Sequence, residues 1–157
     1  MRANERATIG RGDRLPDITL RAVPTGDPVR IRPARRRSSL LVLVHGPECG
    51  RCDDFIRLLA AEADLLREWD ADPVVVLPGP LVAARPTGPF PVLSDPESRL
   101  SGSLALRAPA CVIADQWGEV QLRHEAGEDH SFPPISELVE WARFLAIQCP
   151  ECQGEAL

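Results

Sequence analysis

The chain places Cys49-Gly50-Arg51-Cys52 just after an unbroken apolar run, Leu40 to Val44, and just before a stretch with helical spacing. A Cys-x-x-Cys at a strand-to-helix junction sets the first sulfur at a helix N-terminus. There the unpaired backbone N–H groups and the helix dipole favour a thiolate. A thiolate is the nucleophile of disulfide chemistry, and a second cysteine one turn later can close a ring on it. The motif reads as a reversible dithiol/disulfide centre, and it restricts the chain to folds that bring a buried strand and a helix together at that point.

With 157 residues, 44% of them hydrophobic, the chain is long enough for one domain with a substantial core. No apolar run approaches the ~20 residues of a membrane-spanning helix. The opening residues Met1 to Arg6 lead into polar sequence without an apolar stretch of signal-peptide type, so a cytoplasmic location is expected. In a reducing compartment, five cysteines point to redox or metal chemistry rather than a structural disulfide framework. All 18 basic residues are Arg, and the net charge is −5. The Arg35-Arg36-Arg37 cluster is expected to be a solvated turn ahead of a strand. No aromatic residues interleave with it and the chain is acidic, so neither nucleic acid nor membrane is an expected partner.

Residues 1–10 read as a loose tail, 11–148 as the folded domain, and 149–157 as a second tail carrying another Cys-x-x-Cys. Leu15 to Leu20 and Val29 to Ile31 read as short strands around the turn chemistry of Pro24 to Pro28, a hairpin-like extension. Leu40 to Val44 suits a central strand buried on both faces. From Asp53 to Trp69 the apolar residues Phe55, Ile56, Leu59, Ala63, Leu66 and Trp69 fall on helical spacing. Asp70 to Pro73 is expected to end that helix, and Val74 to Leu77 to be a second buried strand, completing a βαβ unit. The Pro- and Gly-rich residues 78–91 leave room for a short helix at Leu81 to Arg85. Asp95 is placed to cap a short helix through Leu100. Ala110 to Ala114 and Glu119 to His124 form an antiparallel hairpin around Asp115 to Gly118. Pro133-Pro134 opens a last helix carrying Ile135, Leu138, Trp141, Ala142 and Leu145, which ends at or before Cys149 because Pro150 follows.

The order βαβ then ββα, with Cys-x-x-Cys after the first core strand, resembles the thioredoxin fold: a central mixed sheet flanked by helices, here with an N-terminal β-hairpin extension. The chain is most similar to the redoxin branch, which includes the peroxiredoxin-like (alkyl hydroperoxide reductase/thiol-specific antioxidant) proteins. Gly12 to Leu20 resembles that family's N-terminal segment, Pro91 to Glu97 its Leu-Ser-Asp-Pro stretch, and Ala108 to Gly118 the segment that holds its cis-proline. The resemblance implies that Pro109 lies against the Cys-x-x-Cys and that the backbone at Ala108 and Pro109 docks an extended substrate. It implies no organic cofactor.

The departures from the family are specific. Peroxiredoxins carry Thr or Ser three residues before the peroxidatic cysteine; here Gly46 stands three before Cys49. Typical thioredoxins have Trp immediately before the first cysteine and a buried Asp six before it; here these are Glu48 and Leu43. By position, Cys49 is the expected attacking thiolate and Cys52 the resolving thiol. Arg51 favours the charged sulfur while Glu48, Asp53 and Asp54 oppose it. His45, at the strand end, is either a proton relay or structural.

Cys149-Pro150-Glu151-Cys152 repeats the spacing, and two such pairs also suit a four-thiolate zinc site. The last helix runs away from the active end, so about 14 helical residues put Cys149 on the order of 20 Å from Cys49. No metal held by the two pairs within one chain is therefore expected. The second pair is a local disulfide, a metal or dimer contact, or inert, and a homodimer that supplies it to another chain stays open. Cys111 reads as a core residue.

The expected function is thiol–disulfide oxidoreductase, acting on a protein or small-molecule disulfide and recharged by an external thiol reductant. Two rivals stand beside it: a thiol-dependent peroxidase, and a non-catalytic module whose cysteines hold zinc or mediate assembly.

Overall fold

In the computed structural model, the structure describes residues 9–32, 36–46, 49–79 and 88–148. The short helix expected at Leu81 to Arg85, most of the N-terminal tail, Glu48, Arg35 and the Cys149/Cys152 pair lie outside the described residues.

Seven strands form one mixed sheet: β1 (Thr19–Ala22), β2 (Pro28–Arg30), β3 (Ser38–Leu43), β4 (Ala71–Leu77), β5 (Val92–Ser94), β6 (Ala110–Ala114) and β7 (Val120–Glu125). Their order is β2-β1-β5-β4-β3-β6-β7. Helix α1 (Gly50–Glu68) crosses from β3 to the parallel strand β4; α2 (Arg99–Leu104) precedes β6; α3 (Ile135–Ala146) packs beside α1.

β3 is the centre of the molecule, parallel to β4 and antiparallel to β6. Every one of its residues is buried, because it is covered on both sides. Leu40, Val42 and Val44 point into one cluster with Phe55, Ile56 and Leu59 of α1 and Leu138 and Ala142 of α3. Leu41 and Leu43 point the other way, toward Leu15, Leu20, Ile31, Leu100 and Leu104. The alternation follows from the two-residue period of a strand.

Several boundaries differ from the sequence expectation by a residue or more, and three of the differences have a clear physical reason. Leu15 and Ile18 are buried but precede the strand: Leu15 N–H donates to Gly118 O and Gly12 N–H to Val120 O, so this segment lies across the β6–β7 turn, and β1 begins only at Thr19. β4 starts at Ala71 rather than Val74 and so contains Pro73. Val75 N–H faces β5, donating to Pro91 O; Pro73, two residues earlier, faces the same side before β5 has begun, where no N–H is needed. The helix capped by Asp95 starts at Arg99: its carboxylate accepts from the N–H groups of Arg99, Leu100 and Ser101 at 2.7, 3.1 and 3.2 Å.

The expected hairpin extension is present, with a cis Val23–Pro24 bond in its turn, and β1 joins the sheet by pairing antiparallel with β5. Arg37 is held in ion pairs with Asp70 and Asp72, which raise its pKa, so it is engaged within the fold. Among the described residues no helix is long and apolar enough to cross a membrane.

Candidate active site

The site lies where β3 ends and α1 begins, at the carboxyl edge of the two parallel strands. Cys49 is the N-cap residue of α1, extended at φ −86°, and its side chain makes no capping hydrogen bond. The sulfur is thus free for chemistry at the positive end of a 19-residue helix. Cys49 is half-buried. Cys52, in the first turn, is 2% exposed and packs among Val44, Phe55 and Cys111. Burial pushes the Cys52 thiol up to about 12, against one opposing contact: His45 N–H donates to its Sγ at 3.3 Å. All three described cysteines are free thiols. Cys111 is fully buried on β6, and burial raises it to about 12 as well.

The Ala108–Pro109 bond is cis. Pro109 shares the two-residue phase of Cys111, which packs with Cys52, so both face the α1 side of the sheet. On the adjoining surface a cavity of about 270 Å³ is lined by Val44, His45, Pro78, Arg107 and Ala108 among others. It opens beside the end of β3 and reaches Ala108, and none of the described cysteines lines it.

His130 is the residue that sequence reasoning missed. Its Nδ1 lies 3.5 Å from Cys49 Sγ, across 81 positions of sequence. The loop between β7 and α3 carries it there. Phe132 stacks on Phe55 of α1 at 4.1 Å between ring centroids, His124 Nε2 lies 2.9 Å from Ser131 O, and His130 N–H donates to Gly127 O. These contacts hold His130 at φ 53°, a left-handed conformation uncommon for a side-chain-bearing residue. Hydrogen bonding from Ser131, with the charge of Arg51 nearby, keeps the Asp129 carboxyl below its usual value. Arg51 thus lies near enough to the loop carboxylate for its charge to be felt there. His45 is exposed, and its ring lies 4.8 Å from that of His130, tilted by 52°.

Of the residues singled out in the sequence, Cys49, Cys52, His45 and Arg51 come together at the helix N-terminus; Ala108 and Pro109 directly precede Ala110, which pairs with Leu43 at the end of β3. The single signal for His130 is that the chain has only three histidines. Leu43, where thioredoxins have a buried Asp, is 3% exposed and packs among apolar residues. The described site has a histidine beside the first cysteine and an apolar residue where that carboxylate would be.

No family model matches the chain, and no curated protein does so significantly. Solved structures do. AhpC of Mycobacterium bovis matches with a TM-score of 0.73 at 16% identity, covering 91% of this chain and 97% of that one. AhpC of Mycobacterium tuberculosis gives 0.71 at 17%, covering 92% and 98%. A structure described as a putative thiol:disulfide interchange protein DsbE from Chlorobium tepidum gives 0.70 at 20%, covering 90% and 100%. Over nearly its whole length the chain shares the fold of these structures, the thioredoxin-like fold expected from the sequence.

Proposed function

We propose that the protein is a thiol–disulfide oxidoreductase. The observation that carries this reading is the pairing of a half-buried Cys49 at the N-terminus of α1 with a buried Cys52 one turn on; the cis Ala108–Pro109 bond precedes the strand that pairs with the end of β3. The Cys49 thiolate attacks one sulfur of a substrate disulfide bound along the Ala108 backbone. The other substrate sulfur leaves as a thiolate and takes a proton from His130 or solvent. Cys52 then gives up its proton and attacks Cys49 Sγ, which releases the second substrate thiol and closes the Cys49–Cys52 disulfide. An external thiol reductant restores the dithiol. The N–H of His45 pointing at Cys52 Sγ lowers the cost of the charge that develops there. His130 occupies the proton-transfer role that the apolar Leu43 cannot fill. A cytoplasmic setting and a homodimeric assembly belong to this proposal and not to the fold.

The test is a redox titration of metal-free protein with mass mapping of every disulfide under non-reducing conditions. Reversible formation of a Cys49–Cys52 bond, with turnover lost in Cys49→Ser, supports the reading; a Cys49 that resists oxidation defeats it.

The AhpC likeness supports a second reading, a thiol-dependent peroxidase on the same cysteine. It predicts peroxide consumption that is lost with Cys49→Ser. Gly46 in place of the hydroxyl residue argues against it.

A further inference from the structure

The side chains of His45, Cys49 and His130 come from two distant segments and converge on one point: their ligand atoms all lie within 4.8 Å of one another. We propose that, with Cys49 reduced, these three residues bind a borderline-soft divalent metal ion of the zinc type, leaving the fourth position open to solvent.

The geometry can be checked against coordination chemistry. With Zn–S of about 2.3 Å and Zn–N of about 2.0–2.1 Å, a tetrahedral centre puts a thiolate sulfur and an imidazole nitrogen about 3.5 Å apart. Cys49 Sγ and His130 Nδ1 stand at 3.5 Å. The longest separation in the cluster, 4.8 Å, exceeds the tetrahedral edge by roughly 1.3 Å. His45 is exposed and can close that gap by rotating its side chain. One thiolate and two imidazoles are donors of intermediate softness, suited to Zn(II) and disfavouring Mg(II) or Ca(II). Three protein ligands with one open position is the arrangement of reactive rather than structural zinc. The four-thiolate site considered from the sequence spacing is a different set: it needed Cys52 and the C-terminal pair, whereas Cys52 is buried and turned into the core.

A consequence follows that rests on the oxidoreductase reading. The Cys49 sulfur cannot hold the ion and form a disulfide together. When a substrate disulfide takes two electrons from the Cys49–Cys52 pair, it leaves as two thiols, one proton coming from Cys52 and the other from solvent. The ion is released unchanged in charge. The metal thus caps the reduced site, and oxidation discharges it.

The experiment uses the full chain, reduced, stripped with chelator and kept anaerobic, in a Cys149→Ser/Cys152→Ser background so that the C-terminal pair takes no metal. Co(II) is the spectroscopic probe, and Zn(II) displaces it. The expected result is one equivalent bound, with the visible bands of a tetrahedral ion and a thiolate-to-metal charge-transfer band. Cys49→Ser removes the charge-transfer band, and His45→Ala and His130→Ala each weaken binding at least about tenfold. Protein oxidised to the disulfide binds none. Binding insensitive to both histidine substitutions, or no binding by reduced protein with native circular dichroism, overturns the proposal. Disulfide exchange measured on the metal-free protein reads the oxidoreductase function separately, so either idea can fail alone.

Discussion

Cys49 Sγ and His130 Nδ1 lie 3.5 Å apart although 81 residues separate them in the chain. On the proposed mechanism, an imidazole at that distance takes up the thiol proton and then faces the thiolate. His130→Ala is expected to slow alkylation of Cys49 by iodoacetamide near neutral pH by about tenfold or more, and disulfide turnover by a similar factor. The pH profile of alkylation distinguishes proton transfer from a loss of loop structure: only the former moves its midpoint. An unchanged rate and profile would remove His130 from the mechanism.

The loop reaches Cys49 because Phe132 lies flat on Phe55. Such a pair contributes about 0.5–1.5 kcal/mol beyond the area it buries. Phe132→Ala should therefore destabilise the fold by roughly 1–3 kcal/mol in urea unfolding. It should also lower Cys49 reactivity toward the level of His130→Ala, while Phe132→Leu recovers much of the stability without the stack. Full reactivity in Phe132→Ala would show that the loop is positioned by other contacts.

Asp95 is 2% exposed and accepts three backbone N–H groups at the start of α2. Asp95→Ala strands those donors and should cost about 2–3 kcal/mol, whereas Asp95→Asn keeps part of the cap and costs less. Equilibrium unfolding of the two variants gives the comparison, and a loss below about 0.5 kcal/mol for Asp95→Ala would contradict the capping role.

Cys111 yields a pH dependence whose sign is fixed. Its thiol ionises near 9 in the unfolded chain and, by burial, at about 12 in the fold. The folded state holds the proton more tightly, so this contribution is fully present below pH 9 and is lost as pH rises from 9 toward 12. The expected decline is about 1 kcal/mol per pH unit for each such thiol, and the buried Cys52 adds in the same direction. Cys111→Ala should lower stability at pH 7 by roughly 1 kcal/mol for the packing lost, yet flatten the decline above pH 9. Denaturant midpoints between pH 7.5 and 10.5 provide the check; an equally steep decline in the variant would mean that Cys111 is not the group responsible.

Much of this architecture is legible in the chain because it depends on local periodicity. The unbroken run Leu40 to Val44 identifies β3, and the 3.6-residue spacing from Phe55 to Leu66 identifies the buried face of α1. Pro109 and Asp95 carry their own local chemistry. What escapes is whatever depends on a distant neighbour. Pro73 looks like a strand terminator until it is known that β5 begins beyond it. Leu15 looks like a strand residue because its backbone partner, Gly118, is more than a hundred positions away. His130 lies in a polar stretch, Gly127-Glu128-Asp129, that has the character of an ordinary turn; its position is set by a ring stack and by a left-handed backbone that no periodicity reports.

The docking of β1 onto β5 also bears on the order in which the molecule can be made. The N-terminal hairpin leaves the ribosome early, but its partner strand ends at Ser94 and the turn that covers Leu15 is complete only at Val120. At roughly 5–20 residues per second, the hairpin waits on the order of several seconds before it has a surface to join. During that interval Leu15, Leu20 and Ile31, which finish among the most enclosed residues of the protein, face water. The hairpin is thus synthesised well before it can be secured, and the nascent chain carries an unsealed apolar flank until Val120 has emerged.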